Sequence, residues 1–225
     1  MSTNIISTTR TLRLVGTFTF ALAILTVLTS LLAYLPVNPD FSIFTTYLSD
    51  IGDTAGWPQI LFNAGTILAA PLRYLIIILL IIRFRDFIGR KKGYEIAVFV
   101  IGAISTVGTV LMTAVPFSVA PAVHKSGIGF YFLGVVFLQF MIGRKEMSIK
   151  ALPRILSVMS FSIVACFLIF FVLIVLHETG FVTRNTPVFW EWMCFFTSTG
   201  WLLCQSIILG NEKMVERSGQ NTFIA

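Results

Sequence analysis

Six apolar stretches, each long enough to cross a bilayer, constrain this chain more than any other feature. They lie at about 14–35, 58–82, 95–117, 124–143, 155–177 and 187–210. A spanning helix needs roughly 20 such residues, because each adds about 1.5 Å along the axis. Hydrocarbon offers the backbone no partner, so each stretch must satisfy its own N–H and C=O groups and is predicted to be helical. The first stretch exceeds the apolar core of a cleaved signal peptide, about 7–15 residues, and reads as a retained span.

Only 12% of the residues are charged, and 56% are hydrophobic. A water-soluble chain carries about 25% charged residues. The expected fold is therefore all-α: one transmembrane domain of six helices over 1–225, with a tail at 211–225. The formal net charge of +6 does not point to nucleic acid, because of where the positive residues fall. Arg10 and Arg13 precede the first span. Arg83, Arg85, Arg90, Lys91 and Lys92 join the second to the third. Arg144, Lys145, Lys150 and Arg154 join the fourth to the fifth, and Lys213 and Arg217 follow the sixth. The alternate connectors hold only Lys125 and Arg184. By the positive-inside rule both termini are cytoplasmic, and the expected location is the plasma or inner membrane.

Three cysteines, Cys166, Cys194 and Cys204, sit inside apolar stretches. Their odd number and position argue against a disulfide framework. No CxxC or CxxH spacing exists, so no zinc motif is available; no cofactor is expected, and nothing in the spacing of Asp50, Asp53, His124 and Glu191 demands a metal. The third span carries a seam of small residues at Gly102, Ser105, Thr106, Thr109 and Thr113, spaced so that they share one face and allow close helix packing.

The residues with chemical potential gather toward the outer side. The long first outer connector, about 36–57, contains Tyr47-Leu48-Ser49-Asp50-Ile51-Gly52-Asp53. Asp, Ser and Gly suit a turn here. Asn63 stands early in the second span, His124 opens the fourth and Glu191 lies between Trp190 and Trp192 just inside the sixth. Ionisable groups within spans face the bundle interior or a wet cavity. Ser49, Asp50, Asn63, His124 and Glu191 are expected to line an outward-facing polar pocket. Arg73, deep in the second span, is expected to face the bundle, toward Gln139 or carbonyls near Pro71.

Three functional classes fit these residues. The first is a non-catalytic protein that binds or organises lipid at the outer pocket. The second is a membrane-embedded lipid hydrolase or transferase, with His124 or Glu191 as general base and Asp50 orienting it or holding a metal. The third is a small transporter or channel lined by Arg73, Glu191 and Thr197-Ser198-Thr199. The sequence leaves enzymatic activity open. Membrane lipids are the expected partners. A second copy or another protein stays open as a partner.

The order of several short motifs also carries a resemblance. Tyr47-Leu48-Ser49-Asp50-Ile51-Gly52 is followed by Pro58 and Phe62-Asn63-Ala64-Gly65, then by His124, Gly127 and Phe130, and finally by Glu191-Trp192. Together they resemble the six-helix membrane family called domain of unknown function 998, and more distantly the Frag/DRAM/Sfk membrane family. The first resemblance implies the six-helix architecture. The second implies lipid handling, including glycolipid-anchor maturation and control of membrane lipid distribution or autophagy.

Overall fold

The computed structural model describes residues 2–115 and 119–211. The tail from 212 onward lies outside the described residues. The chain forms seven helices and, among the described residues, no strand: α1 (Ser2–Tyr34), α2 (Leu48–Asp53), α3 (Trp57–Ile88), α4 (Lys92–Ala114), α5 (Pro121–Ser148), α6 (Arg154–Glu178) and α7 (Asn185–Leu209). All but α2 are long and apolar enough to cross a membrane. Several run past the uncharged stretches that define them in sequence. α3, for example, continues through Arg83 and Arg85 to Ile88, since a helix leaving the hydrocarbon can carry charge in the head-group region.

The six long helices form a ring in chain order. α1 packs on α3, α3 on α4, α4 on α5, α5 on α6 and α6 on α7, and α7 closes back onto α1. One end of the ring gathers the basic connectors, and will be called the basic end. The opposite end carries α2, which rests on α3, α1 and α7; it is called the outer end because the distribution of basic residues predicts that it faces away from the cytoplasm.

Close packing comes from small residues, because apolar side chains gain little from leaving lipid and helices there associate through fit. Gly102, Ser105, Gly108, Thr109 and Thr113 are all buried on α4. The tightest approach joins α4 to α5. A Cβ placed on Gly108 would lie 2.4 Å from the Tyr131 amide nitrogen, and one on Gly127 would lie 2.6 Å from that of Met112. Thr106 and Thr109 return their hydroxyls to carbonyls one turn back on their own helix, 2.8 Å and 3.1 Å away.

At the basic end, charge is locked into the bundle. Arg83 is fully buried and donates to the Leu209 carbonyl at the end of α7 (3.1 Å) while pairing with Asp86. Arg85 forms a two-pronged contact with Glu95 at 3.0 Å and 2.7 Å, tying α3 to α4. These arginines, which in sequence mark orientation, are thus also structural ties.

Candidate functional site at the outer end

The segment Ser49-Asp50-Ile51-Gly52 is helical, where composition favours a turn. α2 exists because Leu48 and Ile51, three residues apart, bury together with Gly52, and because distant side chains satisfy its first amides. The Leu48 amide donates to Glu191 Oε2 at 2.6 Å and the Ser49 amide reaches the same oxygen at 3.4 Å. Asp50 turns back to accept the Tyr47 amide at 3.0 Å. Two carboxylates therefore sit at the positive end of a short helix, where the exposed N–H groups favour negative charge.

The approach to α2 is held as firmly. Trp192 donates its indole N–H to the Thr46 carbonyl (2.9 Å, buried), and the Tyr47 hydroxyl donates to the Arg184 carbonyl at 2.9 Å. The Arg184 guanidinium lies 4.8 Å above the Tyr47 ring, reaches both Asp50 oxygens at 2.8 Å and 2.7 Å, and donates to the Thr45 carbonyl at 3.2 Å. The hydrogen bonds to Asp50 hold the Arg184 guanidinium protonated beyond its ordinary range. Beneath α2, Asn63 donates to the Gly52 carbonyl at 3.3 Å.

Ser49, Asp50, Asn63 and Glu191 thus meet around one helical turn. His124 is placed differently. Its Nδ1 lies 2.8 Å from the Val115 carbonyl, bridging the start of α5 to the end of α4. Its charge acts on Asp53 at the far end of α2. Desolvation raises the Asp53 carboxyl above the usual range, and His124 pulls it back.

Arg73 departs from its expected partners. Its guanidinium lies 6.0 Å from the Tyr131 ring centroid, two turns from Gln139 along α5. This follows from the lean of helical side chains toward their N-terminus, which on α3 points outward. The Arg73 Nη2 and the Gln139 Oε1 are both buried without a hydrogen-bond partner among the described residues. Thr197 and Thr199 spend their hydroxyls on carbonyls of their own helix.

Two participants escape a reading of the sequence alone. Arg184 reads as a lone connector charge, yet it organises Tyr47 and Asp50. Glu146, hidden next to Arg144 and Lys145, is buried at the basic end. It accepts from Ser160 at 2.8 Å and from Gln205, and Trp201 donates to Ser160 at 2.9 Å. The available signal was spacing: Leu138, Gln139, Ile142, Gly143 and Glu146 continue one buried face of α5.

Tyr47 offers a direct probe of the outer clamp. Burial pushes its phenol up to about 12, with the Arg184 charge pulling in the opposite direction. The folded-state value lies above the unfolded value near 10, so the phenol's contribution is intact below pH 10 and is lost as pH rises toward 12. Tyrosinate absorbance should show a phenol that ionises well above pH 10, and Tyr47→Phe should remove that step. A titration unchanged by the substitution would contradict the arrangement.

The fold and this end together define a multi-pass helical membrane protein in which one outer connector is folded and tied down. The chain belongs to the Frag1/DRAM/Sfk1/Cwh43P N-terminal domain family, whose model matches residues 11–209. That is the family its motifs resemble more distantly. No curated protein and no solved structure matches the chain.

Proposed function

We propose that this protein is a non-catalytic organiser of membrane lipid. It acts at the outer face through the site built by Ser49, Asp50, Asn63 and Glu191, with His124 at its edge. The carrying observation is that the first outer connector is clamped over the bundle while turning large apolar side chains outward. On the connector Phe44 is 59% exposed and Val37 is exposed too, and at the start of α3 Trp57 is 68% exposed beside exposed Ile60. Phe44 stacks on Phe189 at 5.7 Å. Aromatic groups of this kind settle at the lipid–water boundary. The clamp fixes their depth, so polar head groups meet the α2 carboxylates' surroundings while acyl chains meet the aromatic rim.

The non-catalytic reading rests on the use of the carboxylates. Asp50 is committed to Arg184 and the Tyr47 amide, and Glu191 to two amides of α2. A general base needs a lone pair aimed at substrate, whereas these lone pairs hold the loop. By the distribution of basic residues, the clamp faces away from the cytoplasm and both termini lie inside, in a cell membrane.

The test is photocrosslinking of diazirine-bearing phosphatidylcholine to the reconstituted protein. Label is expected on peptides covering 36–63 and 185–196, and Glu191→Ala, which removes the acceptor of the Leu48 and Ser49 amides, should reduce it several-fold there while leaving label on the other spans. Uniform labelling that the substitution does not change would refute the proposal.

A further inference from the structure

The opposite end of the bundle holds a second feature, independent of the outer clamp. Between α4 and α5 a cavity of about 380 Å³ opens, lined by Tyr94, Phe140, Met141, Arg144, Lys145 and Ser148. Its origin is a change of residue size along one helix pair. Toward the outer end, Gly108 and Gly127 bring the two backbones into contact. At the basic end, bulky Tyr94, Phe140 and Met141 face the same interface and leave space between them. The volume falls in the roughly 300–1,000 Å³ range of small-molecule sites.

The chemistry of the lining is uneven in an informative way. Lys145 places its ammonium 4.8 Å from the Tyr94 ring centroid, which fixes a mobile cation against an aromatic face. Arg144 adds a second positive charge. None of the ion pairs among the described residues uses either one. The Tyr94 hydroxyl is buried and has no hydrogen-bond partner among the described residues, although a buried hydroxyl ordinarily finds one. Arg144, Lys145 and Tyr94, with its unsatisfied hydroxyl, all belong to the lining of this one cavity, and an anion is the ligand that would suit all three.

The apolar side of the lining points to the anion's source. Phe140 lines the cavity and is half exposed to the bundle's outer surface, and Leu133 and Phe137 continue that stripe along α5. A ligand held at the cations would have an apolar track running from it along the helix toward the membrane's middle. Free phosphate has no use for such a track, but an acyl chain does.

We propose that this cavity binds one anionic phospholipid, with its phosphate between Arg144, Lys145 and the Tyr94 hydroxyl, and a chain laid along Phe140, Phe137 and Leu133. Arg144 and Lys145 thereby acquire a recognition role beyond setting orientation. A basic residue near a membrane surface contributes enough that losing two weakens binding by about thirtyfold.

The experiment is native mass spectrometry of the purified full chain, with palmitoyl-oleoyl phosphatidylglycerol compared against the matching phosphatidylcholine. The wild type should retain one phosphatidylglycerol in clear preference. Arg144→Gln with Lys145→Gln should lower that affinity by about thirtyfold, and Tyr94→Phe should lower it by a smaller factor. Lys150→Gln with Arg154→Gln, exposed on the same connector, should leave the preference intact. Equal retention of the two lipids by the wild type would overturn the proposal. So would a preference that survives the Arg144/Lys145 change, or one lost equally in the Lys150/Arg154 control. Inorganic phosphate that displaced the lipid as well as excess phosphatidylglycerol does would overturn the lipid assignment. Should the double variant fail to fold, exposed Arg144→Gln alone carries the same readout, with its melting midpoint in detergent confirming the fold.

Discussion

Replacing Gly108 with valine is expected to force α4 and α5 apart and cost about 3 kcal/mol of stability. Even the first carbon of a side chain there would fall 2.4 Å from the Tyr131 nitrogen, 2.8 Å from the Gly127 oxygen and 2.9 Å from the Phe130 carbonyl carbon. All three are backbone atoms, so no rotamer change can relieve the clash. The helices must separate, and the cost spreads along the pair. Ser105 would lose its 3.4 Å hydrogen bond to the Tyr131 carbonyl, and its contact with Gly134 would open. Gly129→Ala is the matched control on α5, since a Cβ there meets nothing within 4 Å. That change should be neutral, or stabilising by up to about 1 kcal/mol through helix propensity. Denaturation in mixed micelles reads both, and a Gly108→Val protein that unfolds like the wild type would show that the two backbones do not touch.

The reason such packing is only half visible in sequence is physical. The spans themselves are legible because lipid removes the alternatives: a long apolar stretch has no structure open to it but a helix that bonds to itself. The small-residue seam on α4 is also legible, since spacing alone puts Gly102, Ser105 and Thr109 on one side. Its partner face is not, because Gly127 and Gly134 on α5 acquire meaning only once α5 is known to lie alongside. The same holds at the outer end. Glu191 announces itself by sitting inside an apolar span between two tryptophans. What it binds does not, because its partners are backbone amides of Leu48 and Ser49, and an amide has no sequence signature. Ser49-Asp50-Ile51-Gly52 has turn composition, and only burial of Leu48 and Ile51 against the bundle makes it helical. His124 shares the depth of Glu191 along the chain, yet the ring geometry gives it the end of α4 as its neighbour. Depth can be read from one helix at a time, but azimuth around the bundle requires all six.

Glu191→Ala should release α2 while the rest of the bundle stays folded. The substitution leaves the Leu48 and Ser49 amides without their acceptor, and an unmet donor in a partly buried place costs about 1–3 kcal/mol. Exchange at those amides should then accelerate by roughly 5–150-fold, and limited proteolysis should cut within 36–56 where the wild type resists. Asp50→Ala is expected to do less, because the Arg184–Asp50 pair is substantially solvent-exposed, with side chains 50% and 31% accessible, and exposed pairs contribute about 0–1 kcal/mol. The decisive variant is Glu191→Gln. A glutamine keeps a carbonyl oxygen where the carboxylate oxygen sat, so a clamp should recover most of its protection. Loop closure and lipid labelling restored together by glutamine would show that Glu191 serves the loop through hydrogen-bond acceptance and not through its charge. Closure restored with labelling still lost would show that the charge of Glu191 itself meets the lipid.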